Sequence, residues 1–208
     1  MRQGFLDIAT TPSVHAVQAQ MGSDRMWSDL KGQRIFDTFT PEASAFIAER
    51  DSFYMATVSE TGWPYIQHRG GPPGFLKVLD EKTLAFADYR GNRQYISVGN
   101  LAADDRAALI LVDYPTRTRM KLYGHVEAVP LDADPALTER VTLPAYRARP
   151  ERILRLRLDA LDWNCPQHIM PRFTEAEIGE AVRPLREQLS ALEAENIELR
   201  ANLAAFKG

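Results

Sequence analysis

Apolar positions recur at helical spacing before residue 53 and after about residue 172, and alternate with polar ones between. The alternating stretches predict strands at Phe53 to Ser59, Pro64 to Arg69, Phe75 to Leu79, Thr83 to Ala87, Ala107 to Asp113, Met120 to Val129 and Arg152 to Leu158. Glu60-Thr61-Gly62, Asp80-Glu81-Lys82 and Tyr114-Pro115-Thr116 read as turns, and Gly70-Gly71-Pro72-Pro73-Gly74 as a break. Short helices are signalled by Thr11-Pro12 with Gly22 as terminator, and by Thr40-Pro41-Glu42. The second should run to about Arg50 with Ala45, Phe46 and Ala48 turned inward. Further short helices are expected from Asn92 to about Leu101 and from Ala136 to Val141. Six or so short antiparallel strands with few helices make a barrel or a sandwich.

The last segment has a different period. Thr174 and Glu177 form a capping box. After Pro184, Leu185, Leu189, Leu192, Asn196, Leu199, Leu203 and Phe206 alternate spacings of four and three, a heptad seam. The expectation is a helix restarting at Pro184 that pairs with a second copy as a parallel two-stranded coiled coil. An amphipathic helix packed on its own barrel would give a similar pattern. The chain then divides into an N-terminal arm (1–39), a barrel (40–172) and a C-terminal helix (173–208).

Composition narrows the class. A chain of 208 residues holds one domain with a sizeable core plus an appendage. The net charge of −3 argues against nucleic-acid binding, which normally leaves a basic excess. Cys165 stands alone, so no intrachain disulfide can form. The stretch from Met1 to Met21 lacks the apolar run of a signal peptide, and the longest apolar run, Ala107 to Val112, is far short of a membrane span. The expected compartment is the cytoplasm.

The motifs for nucleotide triphosphates, dinucleotides and zinc are missing from the sequence. His15, His68, His125 and His168 show no metal-ligand spacing, so no metal site is expected. Cys165 and His168 lie close, but no third group is in view to activate the thiol. The informative stretch runs from Tyr65 to Leu101. Arg69 ends a strand before Gly70-Gly71, and Asp88-Tyr89-Arg90-Gly91-Asn92-Arg93-Gln94 stands where a strand gives way to a helix. Backbone N–H groups at a helix start together with Arg93 favour a phosphate, and Arg69 could clamp it. A hairpin arginine followed by an ordinary capped helix would read the same way.

The order of strand, Gln67-His68-Arg69, strand pair, Gly91-Asn92-Arg93-Gln94 and helix resembles the pyridoxamine 5'-phosphate oxidase-like FMN-binding split barrels, over about residues 40 to 130. The resemblance implies a six-stranded antiparallel split β-barrel with flanking short helices. It implies FMN as cofactor, with its phosphate held by Arg69 and by Asn92, Arg93 and Gln94. Gly70 and Gly71 would run along the flavin ring, and Asp88 and Tyr89 would contact the flavin or ribityl chain. Arg117 or Arg119 would reach the cofactor from the later strand. Trp163, Asn164 and Gln167 would line the flavin edge, although a structural turn with a packed tryptophan reads equally well. The family site lies at a homodimer interface, so the partner chain would contribute. Two departures stand out. Gln94 takes the place of the oxidase's lysine, and the oxidase's C-terminal Arg-x-His is replaced by Asn164-Cys165-Pro166.

The expected function is FMN-dependent oxidation or reduction of a small molecule by hydride transfer, since the cofactor carries the chemistry and no side-chain triad is needed. A non-catalytic flavin carrier or redox sensor is the alternative, and haem or a deazaflavin a third reading.

Overall fold

In the computed structural model, residues 4–28, 35–163 and 167–207 are described. Two compact units form: residues 1–113 with 117–167, and residues 114–116 with 168–208.

The first unit is a mainly antiparallel split β-barrel. Its strands are β1 (Ser52–Val58), β2 (Pro64–Gly70), β3 (Lys77–Val78), β4 (Thr83–Tyr89), β5 (Arg106–Asp113), β6 (Thr118–Val129) and β7 (Pro150–Trp163). They form one sheet in the order β2-β1-β5-β6-β7-β4-β3. Six strands are long; β3 has only two residues, because the break at Gly70 to Gly74 carries on to Leu76. Alternation fixes which face turns inward. Phe53 and Met55 of β1, Leu109 and Leu111 of β5, Met120 and Leu122 of β6, and Leu154 and Leu156 of β7 are buried in one core with Leu84 and Phe86 of β4. Phe53 packs edge-on against Phe86 and stacks on Phe75.

β7 continues five residues past the expected Leu158. Asp159 and Asp162 disguise it as a loop. Their neighbours Ala160 and Leu161 are buried, and Asp162 is answered by Lys121 Nζ at 3.0 Å across the β6–β7 pair.

The helices are α1 (Phe5–Ala9), α2 (Pro12–Gln20), α3 (Asp24–Ser28), α4 (Pro41–Ala48), α5 (Ile96–Ala103), α6 (Pro135–Val141) and α7 (Glu175–Lys207). Thr11 and Thr40 cap α2 and α4 as expected, each accepting from the backbone N–H three residues on. The inward face of α4 differs from the expectation. Ala43 and Ile47 are buried and Phe46 is half-buried, whereas Ala45 and Ala48 are exposed. Short α1 carried no recognised signal. Asp7 caps it by accepting from Gly4 N at 2.8 Å, and Phe5 stacks on Tyr123.

Helix α5 begins four residues later than Asn92. The Asn92 side chain accepts from Gln94 N at 3.1 Å, and Arg93 and Tyr95 hold φ of 64° and 54°. That turn chemistry competes with helix and keeps the segment a loop.

In the second unit, Thr174 Oγ1 accepts from Glu177 N at 3.2 Å and Glu177 Oε2 accepts from Thr174 N at 2.7 Å, completing the capping box. Helix α7 runs through Pro184 without restarting there. The Arg172 guanidinium lies over the Tyr114 ring at 4.8 Å. Among the described residues no helix is long and apolar enough to cross a membrane, and no group has the make-up to hold a metal ion.

Candidate functional site

The site grows from the C-terminal ends of β2 and β4 and the loop into α5. β2 and β4 lie five places apart in the sheet, yet the curvature brings their ends together. The Arg69 guanidinium donates through Nη1 to Asp88 Oδ1 in a close ion pair. Asp88 is also faced by Arg152 Nε at 3.3 Å, from its cross-strand position on β7. Both Arg69 and Asp88 are largely buried, their side chains 13% and 7% exposed. Arg69 Nε is fully buried and has no hydrogen-bond partner among the described residues.

Helix α5 is pinned beside them by polar pairs. Ser97 Oγ donates to Gln67 Oε1 at 2.9 Å, and Asn100 Nδ2 donates to Thr57 Oγ1 at 3.0 Å. Tyr95, at the N-cap, gives α5 no side-chain cap; its hydroxyl donates to Glu151 Oε1 at 3.2 Å. The first N–H groups of the helix are therefore left to water or to a ligand.

These elements enclose a cavity of about 50 Å3. Of the residues singled out in the sequence, Arg69, Asp88, Tyr89, Asn92 and Arg93 line it. Gln67 and Gly91, quoted in the motif without a role of their own, also line it, as do Tyr95, Ser97, Val98 and Glu151, which the sequence did not mark. With Arg90 and Arg152 immediately behind, four guanidiniums face two carboxylates, Asp88 and Glu151. The balance is positive. A hydrogen bond to the Tyr95 side chain holds the Arg93 pKa above its ordinary value. Burial, with a smaller contribution from Tyr146, pushes the Tyr89 hydroxyl above the ordinary tyrosine range. That hydroxyl is buried with no hydrogen-bond partner among the described residues.

The other expected residues do not line this cavity. Gln94 is occupied with Asn92, accepting from its Nδ2 at 3.1 Å. Gly70 and Gly71 are explained by packing: a Cβ on Gly71 would fall 2.8 Å from Phe75 Cγ, and one on Gly70 would meet Asp51 O at 3.3 Å. Arg117 sits in the β5–β6 turn at φ 58°, and Arg119 pairs with Val112 in the ladder. Arg119 Nε is a further buried nitrogen without a partner among the described residues. Trp163 packs its ring edge-on against Phe46 at 4.9 Å, beside the core. Gln167 is exposed, and Asn164 lies outside the described residues.

A family model described as pyridoxamine 5'-phosphate oxidase matches residues 39–159, more than half of the sequence. The chain belongs to the pyridoxamine 5'-phosphate oxidase family. The matched segment holds every residue lining the cavity. Similar solved structures include a family protein from Lactobacillus delbrueckii, 20% identical, covering 61% of this chain and 94% of that one with a TM-score of 0.46. An FMN-binding protein from Syntrophomonas wolfei is 9% identical, with 71% and 97% covered and a TM-score of 0.46. A heme storage protein from Vibrio cholerae is 16% identical, with 60% and 93% covered and a TM-score of 0.41. No curated protein matches the sequence.

Proposed function

We propose that this protein binds FMN and, as a homodimer, uses it to oxidise or reduce a small molecule by hydride transfer. The observation that carries the reading is Arg69. Its guanidinium is oriented by Asp88, while its Nε stays buried and unanswered beside the uncapped start of α5. A buried donor without a partner costs about 1–3 kcal/mol, so this arrangement fits a ligand that supplies an acceptor. An N-terminal helix end with two nearby arginines suits a phosphate. The cavity has room for one small anion, which favours a monophosphate over a pyrophosphate.

FMN, once bound, supplies the two-electron chemistry. The chain holds and orients it. Arg69 and Arg93 would take the phosphate, Asn92 and the first N–H groups of α5 would complete its hydrogen bonds, and Tyr89 would offer its neutral hydroxyl. Asp88 acts through Arg69, fixing the guanidinium before the ligand arrives. None of these residues needs to exchange a proton with a substrate.

The absorption spectrum of the purified protein, with mass identification of whatever denaturation releases, tests the cofactor. A flavin spectrum with released FMN supports the proposal; haem or a deazaflavin would overturn it. Steady oxidation of a reduced nicotinamide in the presence of an acceptor separates an enzyme from a carrier.

A further inference from the structure

Helix α7 presents an apolar stripe longer than the heptad seam after Pro184. Because the helix is continuous through Pro184, Ile178 and Val182 fall on the same stripe as Leu185, Leu189, Leu192, Leu199, Leu203 and Phe206. Ile178 is 51% exposed, and the six leucine and phenylalanine positions of the stripe are 54–90% exposed. The positions between them are mostly polar or small, as a surface helix with one sticky seam requires. In heptad terms Ile178, Leu185, Leu192, Leu199 and Phe206 are d, and Val182, Leu189, Asn196 and Leu203 are a. Pro184 is then at c, on the outer side; it removes the helical hydrogen bond to the Glu180 carbonyl and crowds that carbonyl, away from the a and d positions.

We infer that α7 pairs with α7 of a second copy as a parallel, in-register, two-stranded coiled coil over residues 178–206. At 1.5 Å per residue the seam is roughly 43 Å long, about four heptads rather than three. Charge complementarity selects the second copy. In the parallel pair Glu195 at g meets Arg200 at e of the other helix, twice by symmetry, and Gln188 meets Glu193. Asn196 selects the orientation. In a parallel pair the two Asn196 side chains face each other and share a hydrogen bond. An antiparallel pair sets a against d, and each buried amide would face Leu192 without a partner.

The test uses the full chain carrying Cys165→Ser, with single cysteines introduced by Leu189→Cys, Leu199→Cys or, on the outer face, Glu187→Cys. Mild oxidation should link the Leu189→Cys chains to one another and likewise the Leu199→Cys chains, and should leave Glu187→Cys largely unlinked. Linking only when Leu189→Cys and Leu199→Cys chains are mixed would mean antiparallel helices and overturn the inference. Failure to link in any combination, as from a helix folded on its own barrel or held by an unrelated protein, would also overturn it. Asn196→Leu provides an independent reading that needs no cysteine. It should raise the melting temperature and shift sedimentation toward higher oligomers; a protein unchanged in both contradicts the pairing.

Discussion

Arg69 and Asp88 are nineteen residues apart in sequence and stand on strands five places apart in the sheet, and their ion pair ties the two sides of the split barrel together. Asp88 serves Arg69 and Arg152 at once. Asp88→Ala would leave Arg69 without its counter-charge, and Arg152 with Glu151 alone, in a largely buried place. The expected loss is about 3 kcal/mol, the range for removing one partner of a buried pair. Urea unfolding measures it; a loss under about 0.5 kcal/mol, typical of a surface pair, would mean that water screens the site.

Tyr89 separates stability from binding. Its buried hydroxyl lacks a partner, so Tyr89→Phe should stabilise the ligand-free protein by about 1 kcal/mol, read by thermal unfolding. The same change should weaken FMN binding if the hydroxyl contacts it. The raised pKa also has a sign. Above the ordinary value of 10.0 the unfolded tyrosine loses its proton while the folded one keeps it, so stability falls as pH rises from there. Tyr89→Phe should flatten that fall, and an ultraviolet titration should lose a tyrosine component that lies above the ordinary range.

Gly71 is a packing position. Gly71→Ala forces a methyl onto the Phe75 ring and should cost about 1–3 kcal/mol, as overpacking does. Phe75→Leu in the same chain should recover part of the loss. Denaturation of the single and double variants gives the comparison.

Family membership does not carry the oxidase's substrate with it. The C-terminal Arg-x-His of the resemblance is replaced by Asn164-Cys165-Pro166. Oxygen-dependent formation of pyridoxal 5'-phosphate should stay below about 1 per second, the low end of ordinary turnover. An oxygen electrode with pyridoxamine 5'-phosphate tests this.

Much of the fold was legible because its signals are local. Alternation marked the strands, and Thr11, Thr40 and Thr174 marked three helix starts. What escaped is what depends on partners far away in sequence. Asp159 and Asp162 hid the end of β7, since only its pairing with β6 shows that the strand runs on to Trp163. Arg152 escaped the site for the same reason. Its role follows from the register that sets it opposite Asp88, and the alternation of β7 alone does not supply that register. Arg69 and Arg93 were legible as candidates because strand-end arginines and a polar strand-to-helix loop are themselves the chemistry of anion binding, whereas Asp88 came only from the family resemblance. Tyr95 and Glu151 were not legible, since their link spans fifty-six residues.

Arg69 and Arg93 are proposed to hold the phosphate of FMN. The most direct measurement is the FMN affinity of the wild type and of the Arg69→Ala, Arg93→Ala double variant, by quenching of flavin fluorescence, with riboflavin as the ligand lacking the phosphate. Each charged hydrogen bond lost should weaken FMN binding by about tenfold or more, while riboflavin binding, weak already, should change little. Equal FMN affinity in the two proteins, in folded and monodisperse samples, would mean that these arginines do not hold the phosphate.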